Sequence, residues 1–304
     1  MNKIDRYRGS LIGLAVGDAL GASVEFSNPF TMKKVSDMQS GGTFGLPAGK
    51  WTDDTSLALC LSLSLIEKNG FDAYDQMTKY SKWYYDGYMS SIGRAFDIGG
   101  STRKSIEKFV RTHEPYAGSC EPNCAGNGSI MRLTPIPLFY INDLKEVIHY
   151  SGESSKTTHP TAEAVDACKY LGTLIALAAR GASKEEILVS SKFQDNISPA
   201  IVKIAQGSFK EKEPPEIKGT GYVVESLEAA LWAFYKTDNF KDAVLAAVNL
   251  GNDADTTAAV CGQLAGAYYG IEDIPKKWLN VIAMREEILK IADKLYKLAE
   301  KNKD

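Results

Sequence analysis

The sequence is short of the residues on which many metal, redox and nucleic-acid proteins depend. Its 304 residues include three histidines, His113, His149 and His159, with no ligand spacing among them. Any metal here must therefore be held mainly by oxygen. There are five cysteines, Cys60, Cys120, Cys124, Cys168 and Cys261. An odd number, mostly inside apolar helical patterns, reads as reduced buried thiols rather than a disulfide framework. Cys120 and Cys124 are close, but no second cysteine pair or nearby histidine completes a zinc site. The net charge is -3 and no basic patch stands out, so a nucleic-acid partner is not expected. No apolar run is long and clean enough to span a bilayer, and the charged opening "MNKIDRYRGS" is no signal peptide. These absences lead us to expect a cytoplasmic protein with no membrane partner, and a monomer.

What is present is helix. The chain is 44% hydrophobic and 24% charged, as in soluble globular proteins. Leu57, Leu59, Leu61, Leu63 and Leu65 alternate like a strand, but Ala, Cys and Ser lie between them and no residue is β-branched. This composition predicts a buried helix ending near Gly70. Leu227, Leu231 and Phe234 form one apolar stripe, and Phe240, Val244 and Val248 another. "SKEE" at 183–186 is a capping box, and Pro160 is placed at a first helical position. Ile282, Leu289, Ala292 and Leu295 run through a Lys/Glu-rich C-terminal helix. Loop-rich stretches cover 27–50, 113–132 and about 206–221. Composition is alike on both sides of the last one. We expect an all-α protein, a compact single domain over residues 1–304.

Two helix starts are crowded with acids. "GNDADTTAAVCG" places Asp253 and Asp255 one residue apart, followed by Thr256, and "KWTDDTSLAL" places Thr52, Asp53 and Asp54 together. One N-cap needs only one oxygen, so capping explains a single acid well and four poorly. If the two starts converge, four like charges enter one pocket, and divalent cations relieve that repulsion. Carboxylates with Thr hydroxyls suit Mg²⁺ or Mn²⁺, and the ligand count fits two ions.

A third acidic element is "GLAVGDALGASVEF". Gly13, Gly17 and Gly21 recur every four residues and allow close approach of another backbone. Asp18 and Glu25 share a helical face if the helix runs that far; otherwise Asp18 bonds a neighbouring backbone and Glu25 exits toward a cleft. "GNGSIMR", Gly126 to Arg132, reads either as a turn or as an anion-binding nest of successive N–H groups. In "FDIGGSTRKS", Asp97 precedes a Gly-rich helix start and reads as a cap or as a cleft acid. His159 in "TTHPTAEA" stands before a helix, where a cap is the plainer role.

In this order the elements resemble the ADP-ribosylglycohydrolase family. The resembling blocks are "GLAVGDALGASVEF", "WTDDTSLAL", "FDIGGSTR", "GNGSIMRLTPIPL", "THPTAEA", "GYVVESLEAALWAF" and "GNDADTTAAVCGQLAGAYYG". The resemblance implies a compact all-α fold with two Mg²⁺ or Mn²⁺ ions. It assigns Thr52, Asp53, Asp54, Asp253, Asp255 and Thr256 to metal binding. Glu25 becomes the acid beside the metals that helps place the reacting water or the second metal, Asp97 the acid near the scissile bond, and Asp54 is counted with them among the catalytic residues. Gly99, Gly100, Ser101, Gly126, Asn127, Gly128, Ser129, His159 and Tyr222 are assigned to substrate. The implied activity is removal of ADP-ribose from a modified protein side chain, most readily arginine. Alternatives are serine-linked or small-molecule ADP-ribose conjugates, a phosphoesterase, and a non-catalytic ADP-ribose-binding protein on the same fold.

Overall fold

Four small residues on one helix, each touching backbone on another, set the centre of the molecule. The computed structural model describes residues 1–189 and 197–302; the expected domain also includes 190–196 and 303–304, which lie outside the described residues. The first helices are α1 (Lys3–Gly21), α2 (Asp53–Lys68), α3 (Ala73–Asp86), α4 (Gly100–Thr112), α5 (Pro135–Phe139), α6 (Leu144–Lys156) and α7 (Ala162–Arg180). They are followed by α8 (Lys184–Leu188), α9 (Pro199–Ala205), α10 (Val223–Tyr235), α11 (Phe240–Val248), α12 (Ala254–Tyr269), α13 (Lys276–Leu279) and α14 (Arg285–Lys301). Among the described residues there is no β-strand, only the isolated bridges Gly41–Leu46 and Gly126–Tyr222. None of the described helices is long and apolar enough to cross a membrane.

Helices α1 and α12 cross in close antiparallel contact. A Cβ added at Gly9, Gly13 or Gly17 would lie 2.1–2.3 Å from the carbonyl oxygen of Gly266, Gly262 or Ala258, and one at Gly21 would lie 2.3 Å from Asp255 Cα. From α12, Gly262 and Gly266 meet the carbonyls of Gly13 and Gly9 in the same way. No side chain fits between these backbones, so the glycine stripe specifies the pairing. The register brings the C-terminal end of α1 against the start of α12.

The Leu-rich segment is indeed helix, α2, and it stops at Asn69 in the left-handed conformation (φ 50°). The capping box at Ser183 and Glu186 is complete, with both reciprocal bonds formed. The stripes of α10 and α11 are buried. The core also encloses Trp51, Trp83, Trp278, Tyr7, Tyr80 and Tyr170. Cys60, Cys168 and Cys261 are buried free thiols, whereas Cys120 is exposed and Cys124 half-buried.

Three local expectations need correction. Helix α1 ends at Gly21, so Asp18 and Glu25 do not share a helical face; a turn closed by Val24 N–H on Gly21 O carries the chain to Glu25. Helix α7 starts at Ala162 with Thr161 as N-cap, so Pro160 lies ahead of the cap rather than at the first helical position. Ile282 precedes α14, and Leu289 is only half-buried; the buried stripe is Ile288, Ile291, Ala292, Leu295 and Ala299.

Candidate active site

The cap of α2 comes from another helix. Asp18 accepts from the backbone N–H groups of Thr52 (2.8 Å) and Thr55 (3.0 Å) and from both hydroxyls (3.0 and 2.6 Å). Four donors satisfy this fully buried carboxylate, although burial still raises its pKa to about 6. Asp18 thus takes over the capping task at α2. Asp53 and Asp54, in the first turn, are free to face elsewhere, and Thr52 at the N-cap makes no side-chain capping bond.

At the start of α12, too, the local acid does not cap its own helix. Asp253 is its N-cap residue but makes no side-chain capping bond. Its Oδ2 instead accepts from Asn127 Nδ2 at 2.8 Å, while its N–H donates to Gly219 O. Asp255 Oδ2 lies 3.4 Å from Thr52 Oγ1, whose hydrogen is nearer Asp18, and Asp54 Oδ1 accepts from Thr256 Oγ1 at 3.3 Å. The two acidic helix starts therefore meet. Glu25 arrives from the loop after α1, with Phe26 N–H anchored on Asn252 O at 2.6 Å. Asp97 arrives from the loop before α4, in the left-handed region (φ 62°). Gly99 is the N-cap of α4, so Asp97 does not cap it. Single oxygens of Glu25, Asp97 and Asp255 lie within 4.8 Å of one another.

This cluster lines a cleft of about 300 Å³. Glu25, Asp53, Asp97, Asp253, Asp255 and Thr256 supply its acidic lining. Gly99, Gly100, Ser101, Gly126, Asn127, Gly128 and His159 line it as well, joined by residues the sequence did not single out, among them Phe26 and Thr102. Four expected site residues are not on the cleft wall. Thr52 and Asp54 are buried behind it, where they meet Asp255 and Thr256. Ser129 is buried with its hydroxyl bonded to Ser155 and Cys168. Tyr222 is exposed and pairs with Gly126 through the backbone. The loop at 126–129 is not a continuous nest, because Asn127 N–H is spent on Gly221 O at 3.0 Å. His159 is no cap, and burial holds its pKa down at about 3, so the ring is neutral.

The electrostatics of the acids are severe. Burial and then the charge of Asp97 raise Glu25 to about 9; burial and then Asp18 raise Asp97 to about 7. Burial, with neighbouring charges, pushes Asp53, Asp54 and Asp255 well above the carboxylate range. Burial and the like charges disfavour the ionised form. Buried oxygens on four of these acids, Glu25 Oε2, Asp54 Oδ2, Asp97 Oδ2 and Asp255 Oδ1, have no hydrogen-bond partner. Such atoms are costly unless something positive meets them. The donors are all oxygen, which fits hard divalent cations.

The ADP-ribosylglycohydrolase family description matches residues 1–304. The chain belongs to the ADP-ribosylglycohydrolase family. The ADP-ribosylarginine hydrolase Tri1 of Serratia proteamaculans is 41% identical over 299 residues, covering 97% of this chain and 80% of that protein. The ADP-ribosyl-[dinitrogen reductase] glycohydrolase of Rhodospirillum rubrum is 32% identical and covers 97% of both chains. A solved structure titled ADP-ribosylglycohydrolase-related protein complex superposes with a TM-score of 0.88 at 43% identity, over 98% of this chain and 99% of that one. Membership in this hydrolytic family is consistent with an acidic centre lining a cleft. Sequence reasoning has Asp18 bonding a neighbouring backbone and Asn127 in the substrate loop; Asp18 does so, and Asn127 lines the cleft. That the backbone bonded by Asp18 is the start of α2, and that Asn127 also orients Asp253, is visible only in the tertiary packing.

Proposed function

We propose that this chain hydrolyses the N-glycosidic bond between ADP-ribose and an arginine side chain of a modified protein, using two divalent cations, Mg²⁺ or Mn²⁺. The observation that carries this reading is the buried carboxylate centre with unpartnered oxygens in a cleft that glycines also line. The arginine linkage is supported by the Tri1 relative, named as an ADP-ribosylarginine hydrolase. Asp53, Asp54, Asp253, Asp255, Thr52 and Thr256 would hold the cations, Thr52 and Asp54 from behind the cleft wall. Bound there, the cations supply charge that fixes the target ribose and polarises water.

The remaining steps belong to the chain's own residues. Gly99–Ser101, Gly126–Gly128 and His159 bind the ADP-ribose body, and Tyr222 stands at the exposed rim. As the C1″–N bond lengthens, positive charge develops on the sugar and the acids around it favour that state. The water oxygen joins C1″, and its proton passes to the carboxylate of Glu25 or Asp97. That proton goes on to the departing guanidine nitrogen, which leaves as guanidinium. A carboxylate that takes the proton from water and returns it to the leaving nitrogen serves both directions of transfer. The test is turnover of defined Arg-, Ser- and Glu-linked ADP-ribose peptides with Mg²⁺ or Mn²⁺, with the metal-stripped protein as control. Cleavage of the arginine link that vanishes on chelation supports the reading. Full activity in protein shown by elemental analysis to be metal-free, or preference for the serine link, overturns it.

A further inference from the structure

Arg132 is fully buried, and no carboxylate pairs with it among the described residues. Its Nη2 donates to Thr158 Oγ1 at 2.6 Å, its guanidinium lies 4.7 Å over the Tyr80 ring, and its Nε and Nη1 have no hydrogen-bond partner. Placing a guanidinium in such a site is costly, and an apolar residue of similar volume would pack there more cheaply. What Arg132 does touch leads to the cleft. Thr158 Oγ1 lies 2.8 Å from His159 Nδ1. The other edge of that imidazole faces the glycine loop: a Cβ added at Gly128 would lie 2.7 Å from His159 Cε1 and 3.1 Å from Nε2, and one at Gly126 would lie 3.4 Å from Nε2.

The donor count decides the tautomer. A guanidinium only donates, so Thr158 Oγ1 accepts from Arg132. The single hydroxyl hydrogen of Thr158 then has one acceptor in reach, His159 Nδ1. If Nδ1 carried the proton instead, the hydroxyl hydrogen would be buried without a partner, which costs free energy. We infer that Arg132, acting through Thr158, is a positioning residue that locks His159 as the neutral tautomer protonated on Nε2. That proton is then presented to the cleft as a fixed hydrogen-bond donor for an oxygen of the ADP-ribose body, a clause that rests on the function proposed above. Burial and the charge of Arg132 both keep the ring from taking a second proton. The His159 backbone is pinned as well, its N–H on Ser155 O at 2.7 Å and its carbonyl accepting from Ser155 Oγ at 2.8 Å.

The test uses the full chain with ¹⁵N-labelled histidine. Long-range ¹H–¹⁵N spectra at pH 7 report which ring nitrogen bears the proton, and His159→Gln identifies the signals of His159. We expect Nε2–H alone in the wild type, a mixture of tautomers in Thr158→Val, and restoration in Thr158→Ser. Calorimetry with free ADP-ribose should show affinity about tenfold weaker in Thr158→Val, as for one lost hydrogen bond, and recovered in Thr158→Ser. Arg132→Met should shift the tautomer in the same direction; should it fail to fold, the Thr158 pair carries the test. A wild type protonated on Nδ1, or a Thr158→Val protein with an unchanged tautomer, overturns the relay. A correct tautomer in a protein that does not bind ADP-ribose leaves the relay standing and overturns the ligand reading instead.

Discussion

Asp72 and Asp253 both stand at the N-cap of a helix, and they do different things. Asp72 turns its carboxylate onto its own helix, accepting from Asp75 N–H at 2.9 Å. Asp143 and Asn239 do the same for α6 and α11. These rim starts need one oxygen and use one. At α2 and α12 the acids ignore the helix they begin. Asp53, Asp54 and Asp255 are 4%, 1% and 2% exposed, cap nothing, and face one another across the joint between the two helices. Composition at a helix start is thus a poor guide to role. The informative observation is whether the helix is capped by something else, as α2 is by Asp18, because a cap supplied from outside frees the local acids for other work.

The largest effect that would break this contrast lies at the centre. Asp53→Asn or Asp255→Asn should lower turnover by at least roughly 10²-fold with the helical circular dichroism unchanged. Wild-type rates in either variant would reduce these acids to structural filler. The same contrast predicts a pH signature. In the folded protein Glu25 keeps its proton up to about 9, whereas an ordinary glutamate gives it up near 4.5. The unfolded chain therefore binds fewer protons in that window, and stability without cations should fall as pH rises through it. Mg²⁺ or Mn²⁺ should raise the melting temperature, and more at pH 8 than at pH 6. A cation effect independent of pH would argue against binding at this cluster.

Asp97 sharpens the comparison at intermediate size. It stands before a helix but does not cap it, so Asp97→Ala should reduce kcat/KM on arginine-linked peptide much more than it weakens free ADP-ribose. An unchanged kcat/KM in this variant would remove Asp97 from the proton transfer proposed above. Smaller still is the rim control. Asp72→Ala or Asp143→Ala should cost about 1 kcal/mol in denaturant unfolding and leave turnover alone. A rim variant that loses activity would erase the distinction between the two kinds of helix start.

A last effect, on pH dependence alone, concerns His159. Its folded pKa of about 3 lies below the ordinary 6.5, so the unfolded chain takes up a proton first as pH falls. This residue contributes stability that is present above 6.5 and is lost toward pH 3. His159→Gln should flatten the decline in unfolding free energy between pH 6.5 and 5. An unchanged slope would mean that the imidazole is charged or solvated in the folded state.

By itself the sequence determined the helices and their chemistry. Leu and Ala at 57–65 favour helix over strand whatever surrounds them, the capping box at 183–186 is local, and glycine every four residues at 13, 17 and 21 lets a second backbone approach. The crowding of oxygen ligands at 52–54 and 253–256 was legible too, because neighbouring carboxylates repel and call for something positive. The tertiary structure alone decided which acids reach the cleft. Glu25 gets there through a turn after α1 and not along a helical face; Asp54 and Thr52 stay behind the wall; Ser129 turns inward to Ser155 and Cys168. It also decided that Asp18 caps a helix 34 residues away in sequence from its first partner, Thr52, and that Asn127 holds Asp253. Spacing along a chain reports only short-range geometry, whereas capping by a distant residue, burial of a carboxylate and the tautomer of an imidazole depend on which backbones are packed together.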